Sequence, residues 1–539
     1  MKSNKLSTVV FMALLCMPAS AQKRAFSIED IYRVKTAYGP TVSSAGDMIY
    51  TLSSSNLAKQ TSTSNIYTAG GKAVTTDNQS YSPQWSSDGK YIYYTSSNSG
   101  LPQVWRANAD GSAAEQLTDY KLGVQGAVVS PDGRYIAFAA EVDPDLNDAD
   151  GSLNKEAREA KRKNPIQAHI TDHLLFRHWT EYSDGRYWHI IVFDTKSKTY
   201  KDVTPGKFHS PVFSPSGPTG FVFSPDSKEL CYLSNHDEHP EASTNCDLRT
   251  VNLETLEQKD LTAENKAWDG SPQYSPDGKY IAYRFQRTPG YESDRFILGL
   301  IDRKTGKKSV LTEGFDNWVD DYKWSADSKS IYFLGEVRGV EPLYSVDIKT
   351  GKIKSVIAGK AISGFDIDPK GNVYYTYSTT GKPTAVYKTS LSDLKKGREA
   401  VQLTHYNDSL EAAVDFRPSE QMWVKGAEGD SVEVFIVKPH NFDASKKYPL
   451  VINVHGGPQM QWMNSYRADW QVYPGAGYVV AYPNPHGSTG YGQKFCRDIS
   501  GSWGGRPFDD VMKVTDELAK LSYVDSTRMG AMGWSYGGY

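Results

Sequence analysis

Ser275-Pro276-Asp277-Gly278-Lys279, followed by Tyr280-Ile281-Ala282-Tyr283, is the phrase from which most of the fold can be read. Proline presets φ, aspartate folds its side chain back over the turn, and glycine takes a positive φ. The aromatic and aliphatic residues that follow suit a strand. The phrase recurs as Ser43-Ser44-Ala45-Gly46-Asp47, Ser86-Ser87-Asp88-Gly89-Lys90, Ser130-Pro131-Asp132-Gly133-Arg134 and Ser224-Pro225-Asp226-Ser227-Lys228. It returns as Ser325-Ala326-Asp327-Ser328-Lys329, and in degraded form as Asp368-Pro369-Lys370-Gly371-Asn372. Successive copies lie 43 to 51 residues apart, with one gap of 94. A fixed period of this length fits four-stranded propeller blades, and seven copies predict seven blades.

The long gap predicts an insertion between about residues 141 and 223. It holds an acidic loop (Asp143, Asp145, Asp148, Asp150), a charged helix-like run from Asn154 to Asn164, and Arg177-His178-Trp179-Thr180-Glu181-Tyr182. Two readings stay open for it: a solvated helix with its loops, or the wall of a pocket.

Near Glu411 the pattern changes. Glu420 to Lys438 reads as a hairpin, and Tyr448 to Val454 and Gly477 to Tyr482 as apolar strands of a parallel sheet buried on both faces. Asp509 to Leu521 has helical spacing, and Arg528 to Gly533 reads as a third buried strand. That strand leads into Gly533-Trp534-Ser535-Tyr536-Gly537, the G-x-S-x-G pattern of a nucleophile elbow. Small residues flank the serine because a β-carbon there would collide with the turn, and the backbone N–H of Tyr536 is placed to face an oxyanion. His455-Gly456-Gly457-Pro458, directly after the strand ending at Val454, offers a second N–H.

At 539 residues the chain exceeds what one core supports, so a multidomain protein is expected. Lys and Arg number 60 against 63 Asp and Glu, a net charge of −3, which gives no electrostatic reason to expect nucleic-acid or anionic-membrane binding. Lys2 and Lys5, the apolar run Leu6 to Met17, and Ala19-Ser20-Ala21 read as a cleaved export signal over 1–21. A periplasmic or secreted protein follows, with no membrane contact after signal removal. Of the remaining cysteines, Cys231 and Cys246 flank a polar turn region and are read either as a cross-strand disulfide or as two buried thiols.

His455-Gly456-Gly457-Pro458, Pro483 to Gly492, Trp503-Gly504-Gly505-Arg506-Pro507 and Gly533 to Gly538 together resemble the prolyl oligopeptidase family of serine peptidases. The likeness is to its acylaminoacyl peptidase and dipeptidyl peptidase 5 branch, which Arg287 to Arg295 also resembles, and it covers nearly the whole chain. It implies a seven-bladed propeller over 22–410 and the front part of a doubly wound α/β-hydrolase over 411–539. By resemblance, Ser535 is the nucleophile, and the N–H groups of Tyr536 and Gly457 form the oxyanion hole. His486 stands where most relatives have arginine. Glu181 and Glu292 are the candidates by type for holding a free substrate amine; each also reads as an ion-pair or surface residue.

The fold orders its triad Ser, Asp, His, so the base and its orienting acid are expected beyond Tyr539, and these residues alone are expected to hydrolyse nothing. No cofactor or metal is expected. The expected activity is hydrolysis of short peptides, with dipeptides released from free N-termini through a serine acyl-enzyme. Alternatives are an acylaminoacyl peptidase or oligopeptidase, an ester hydrolase, and a propeller binding module.

Overall fold

The computed structural model describes residues 22–539 except 147, 172–176, 179, 183–184 and 213–219. The export signal expected over 1–21 lies outside the described residues. Among those described, no helix is long and apolar enough to cross a membrane.

Seven antiparallel sheets follow one another along the chain. The first blade has three strands, Thr36–Val42, Met48–Asn56 and Thr61–Thr68. The other six have four and run 80–116, 125–202, 221–260, 269–310, 319–357 and 361–402. Every copy of the repeated phrase forms the turn between the first and second strands of its blade. In the third blade the Ser130 hydroxyl donates to Asp132 at 2.6 Å and accepts the Tyr135 N–H at 2.8 Å. The same Asp132 carboxylate accepts the Arg134 N–H, so serine and aspartate together replace the hydrogen bonds that the turn removes. Gly133 sits at φ 72°, the conformation the fourth position of the phrase requires.

Serine replaces that glycine at Ser227 and Ser328, at φ 60° and 59°. Their hydroxyls accept the N–H groups of Asp132 and Asp277, each at 3.1 Å, from the turn of the preceding blade. Backbone strain at these turns is therefore offset by a bond between blades. Leu-Thr pairs at 117–118, 261–262 and 311–312 close the last strand onto the third strand of the same blade: the hydroxyls of Thr118, Thr262 and Thr312 accept the N–H groups of Val104, Leu248 and Leu298, each at 2.9 Å. The ring closes without a shared blade. Ala37, Met48, Tyr50 and Leu52 of the first blade pack with Tyr374 and Val386 of the last, and Asp366 accepts the Val42 N–H at 2.8 Å.

The insertion falls inside the third blade. Its second strand ends at Val142 and its third begins at Tyr187; between them lies the helix Ser152–Lys163, followed by the short pair Arg177–His178 and Glu181–Tyr182. Residues 203–220 then connect to the fourth blade, so the gap in the repeat is two segments rather than one.

Cys231 and Cys246 are free, buried thiols. Cys231 pairs with Thr250, whereas Cys246 precedes Asp247, the partner of Ser234. Four residues of register, about 13 Å of strand, separate them, against the ~5.5 Å between Cα atoms that a disulfide needs. Both side chains belong to the apolar cluster between the fourth and fifth blades, with Leu233, Leu248, Tyr274 and Ile281. The disulfide reading is excluded by register.

The second unit is a five-stranded sheet of Ser419–Lys425, Ser431–Val437, Tyr448–Val454, Val479–Asn484 and Val524–Gly533. In space the order is first, second, fourth, third, fifth, the last three running parallel. Val432, Val434, Ile436, Leu450, Ile452, Val479 and Ala481 form its core with Val514 and Leu518 of the helix Arg506–Ala519. That helix begins three residues before the expected Asp509, at the turn where Pro507 occupies the first helical positions. Among the described residues the strand Val524–Gly533 pairs with Tyr448–Val454. The segment before Thr36 also lies here, with Arg24–Ala25 paired in parallel to Val414–Asp415 and Phe26 packed on Val414 and Phe416.

The hydrolase sits over the face of the propeller opposite the repeated turns. The Arg338 and Gly339 N–H groups bond Gly490 and Gln461, the Thr380 N–H bonds Asn464, and Asn317 accepts the Gly492 N–H. All of these propeller residues lie in connections from second to third strand, or from one blade to the next. The helix and strand pair inserted in the third blade leave from the same kind of connection, and so from the hydrolase side.

Candidate active site

Ser535 sits at the end of the strand Val524–Gly533 and adopts φ 56°, a region that costs a residue with a β-carbon on the order of 1 to 3 kcal/mol. The flanking glycines permit it. A β-carbon on Gly533 would lie 2.1 Å from the Gly537 carbonyl oxygen, and one on Gly537 would lie 2.2 Å from that of Val454. The side chain of Ser535 is exposed. The pairing Val454↔Gly533 brings the residues after Val454 alongside the turn. A β-carbon on Gly456 would stand 2.7 Å from the Trp534 carbonyl oxygen and 3.2 Å from the Ser535 β-carbon. Only glycine at 456 lets the two loops approach this closely, and Gly457 follows at φ 108°.

Behind the glycines, His455 is buried and holds two loops together. Its Nδ1–H donates to the Gly456 carbonyl at 2.7 Å, and Nε2 lies 2.8 Å from the Ser488 hydroxyl. Burial lowers its pKa to about 4, so the ring is neutral at physiological pH. On the open side, the Tyr536 hydroxyl donates to the Trp503 carbonyl at 2.7 Å, and the two rings meet edge to face.

The family model described as the prolyl oligopeptidase family matches residues 464–539. The dipeptidyl-peptidase 5 of Porphyromonas gingivalis is 31% identical over 495 residues, spanning 88% of this chain and 69% of the relative. That of Porphyromonas endodontalis is 33% identical over 485 residues, spanning 87% and 68%. This chain belongs to the prolyl oligopeptidase family. It is a serine-type peptidase of the branch that joins a seven-bladed propeller to an α/β-hydrolase. Pyrococcus horikoshii acylaminoacyl peptidase has the same fold, with a TM-score of 0.75 at 19% identity over 96% of this chain and 76% of that one.

Within this family member, the residues expected from sequence fall into two groups. Ser535 and Tyr536 form the elbow, and Gly457 follows Gly456, the residue that packs against Trp534 and Ser535. Glu181 and Glu292 lie in the second-to-third-strand connections of the third and fifth blades, on the hydrolase side. The Glu181 side chain lies outside the described residues. Glu292 is exposed, and its carbonyl accepts from Gln286 at 2.9 Å. The carboxylate that shapes its loop is Asp294, which is buried and accepts the Arg287 and Thr288 N–H groups, each at 2.8 Å.

Sequence reasoning missed a buried knot beneath the site. Asp510 accepts the Ala427 N–H at 2.7 Å, the His486 N–H at 2.7 Å and the His486 Nδ1–H at 2.6 Å. Gly426 makes room: a β-carbon there would lie 2.2 Å from the Asp510 carboxylate. Burial would lower the His486 pKa, but hydrogen bonds and charge from Asp510, and then Asp430, outweigh it and hold the pKa above the usual value. A signal was present. Asp510 falls in the stripe of Pro507, Val514 and Leu518 that the helix buries, where an acid needs a partner. Glu433, fully buried inside the apolar run Val432 to Val437, is a second case; it accepts from Gln421 and the Tyr491 hydroxyl.

The junction between propeller and hydrolase also carries Glu336, whose Oε2 is buried without a hydrogen-bond partner among the described residues. Burial pushes its pKa up to about 7, with Thr489 acting to lower it and Asp320 to raise it further. A carboxyl whose folded pKa exceeds its unfolded value stabilises fully below the unfolded value, and that stability is lost as pH rises through about 7. Glu336→Gln is therefore expected to remove an alkaline loss on the order of 2 kcal/mol. Denaturant midpoints at pH 6 and pH 8.5 should draw together in the variant relative to the wild type.

Proposed function

We propose that this peptidase releases dipeptides from the free N-termini of short peptides, and that it acts in the periplasm or outside the cell. The single observation that carries the reading is the similarity, at 31% and 33% identity along nearly the whole chain, to proteins named dipeptidyl-peptidase 5. In the proposed mechanism the Ser535 hydroxyl attacks the carbonyl of the second residue as a general base takes its proton. The Tyr536 and Gly457 N–H groups stabilise the oxyanion; its collapse breaks the C–N bond, the amine leaves with that proton, and water then hydrolyses the acyl-enzyme to free the dipeptide.

The general base and its acid are proposed to follow Tyr539, in the order that this fold uses. The two histidines nearest the elbow are otherwise engaged: His455 with Gly456 and Ser488, His486 with Asp510 and Asp430. The propeller limits the substrate to short, unfolded chains, because its ring covers the hydrolase. Glu181 and Glu292 remain the candidates for the substrate amine, supported by their place on connections that face the hydrolase.

The test is a pair of fluorogenic substrates on the intact enzyme, one dipeptidyl amide with a free amine and the same amide N-acetylated. Acetylation is expected to cost at least a hundredfold in kcat/KM, the scale of a lost buried charge contact. Equal or faster turnover of the acetylated substrate would point instead to the acylaminoacyl activity.

A further inference from the structure

Asp430, His486 and Asp498 each present one ligand atom within 4.8 Å of the others. They come from three separate segments: the hairpin turn before Ser431–Val437, the loop after Val479–Asn484, and the residue capping the helix Gln493–Arg497. We propose that these three side chains form a binding site for a divalent transition ion of the Zn2+ class, clamping the loop that backs the elbow.

Three features of the site converge on this assignment. The first is distance. His486 Nε2 lies 3.2 Å from Asp430 Oδ2. Ligands ~2.1 Å from a tetrahedral metal are separated by about 3.4 Å, so this edge of the polyhedron already stands. The second is orientation. The His486 Nδ1–H is committed to Asp510, both side chains being fully buried, so Nε2, which among the described residues meets only Asp430, is the nitrogen that a metal would take. A carboxylate that fixes the far nitrogen of an imidazole is the usual support of a metal-bound histidine.

The third is charge. Asp430, Asp498, Asp510 and Glu428 are countered by Lys494, at 2.5 Å from Asp498, and by Arg506, at 3.2 Å from Asp498 and 2.8 Å from Glu428. With a neutral imidazole, four carboxylates against two cations leave two negative charges, which a divalent ion balances. An imidazole with two carboxylates selects Zn2+ and its neighbours over Ca2+ or Mg2+, which take oxygen ligands. Asp430 is 53% exposed, so the fourth position opens to water.

The consequence for the enzyme runs through two residues. His486 begins the segment whose Ser488 lies 2.8 Å from His455, and His455 precedes the glycine pair beside Ser535. A metal that pins His486 fixes that platform.

Equilibrium dialysis of the purified chain against micromolar Zn2+, with metal quantified per polypeptide, tests the assignment. One Zn2+ per chain is expected. Asp430→Asn and Asp498→Asn change partly exposed groups, and each is expected to weaken binding by about tenfold or more. A wild-type chain that takes up no Zn2+, or either variant retaining the wild-type affinity, overturns the site.

Discussion

Ser535→Ala is expected to lower kcat of the intact peptidase by about a million-fold, and to abolish labelling by a fluorophosphonate probe, while leaving thermal stability unchanged. The contrast between activity and stability is what makes the result informative. Alanine keeps the β-carbon, so the turn at φ 56° and the packing of Gly456 against it stay as they are. Only the attacking oxygen is removed. On the proposed mechanism the backbone N–H groups of Tyr536 and Gly457 would still polarise a carbonyl, and a residual rate about a thousandfold over water is expected from them. A variant that also melts early would mean that the hydroxyl serves the fold. A variant still labelled by the probe would place the nucleophile elsewhere.

Asp510→Ala has the largest expected effect on stability, about 3 to 5 kcal/mol, and it acts through groups that stay behind. The Ala427 N–H, the His486 N–H and the His486 Nδ1–H all lose their acceptor inside a closed core. The pH dependence separates this account from simple loss of packing. His486 is held above its unfolded pKa, so the stability it contributes is complete below about 6.5 and is lost as pH rises through the folded value. The wild type should weaken between pH 6 and pH 8 on this account, and Asp510→Ala should show a flatter profile. Denaturant unfolding at the two pH values measures both. A parallel offset of the two profiles would assign the loss to packing alone.

The propeller was legible because its turns carry their own chemistry. Ser130, Asp132 and Gly133 close one turn with hydrogen bonds that need no partner from elsewhere in the chain, so each copy announces itself locally. The elbow was legible for the same reason, since Gly533 and Gly537 are required by contacts of about 2 Å within and beside the turn. Features that depend on distant pairing were not. The four-residue offset that parts Cys231 from Cys246 is set by the strand register, which the hairpin sequence leaves open. The union of Asp510 with His486 joins positions 24 residues apart, through a helix and a loop whose meeting is a tertiary fact. Helical period could have shown Asp510 on the buried stripe, but it could not have named the partner.

Mass analysis of the acyl-enzyme tests nucleophile and substrate class together. The intact enzyme is mixed with a dipeptidyl ester, quenched in acid within the first turnover and digested with trypsin. The peptide that begins at Met529, after Arg528, carries Ser535. It is expected to gain the mass of one dipeptidyl group with a free amine, and the Ser535→Ala peptide to gain nothing. A dipeptidyl adduct on another residue, or an adduct on Ser535 from an N-acylated single amino acid but none from the dipeptide, would contradict the assignment.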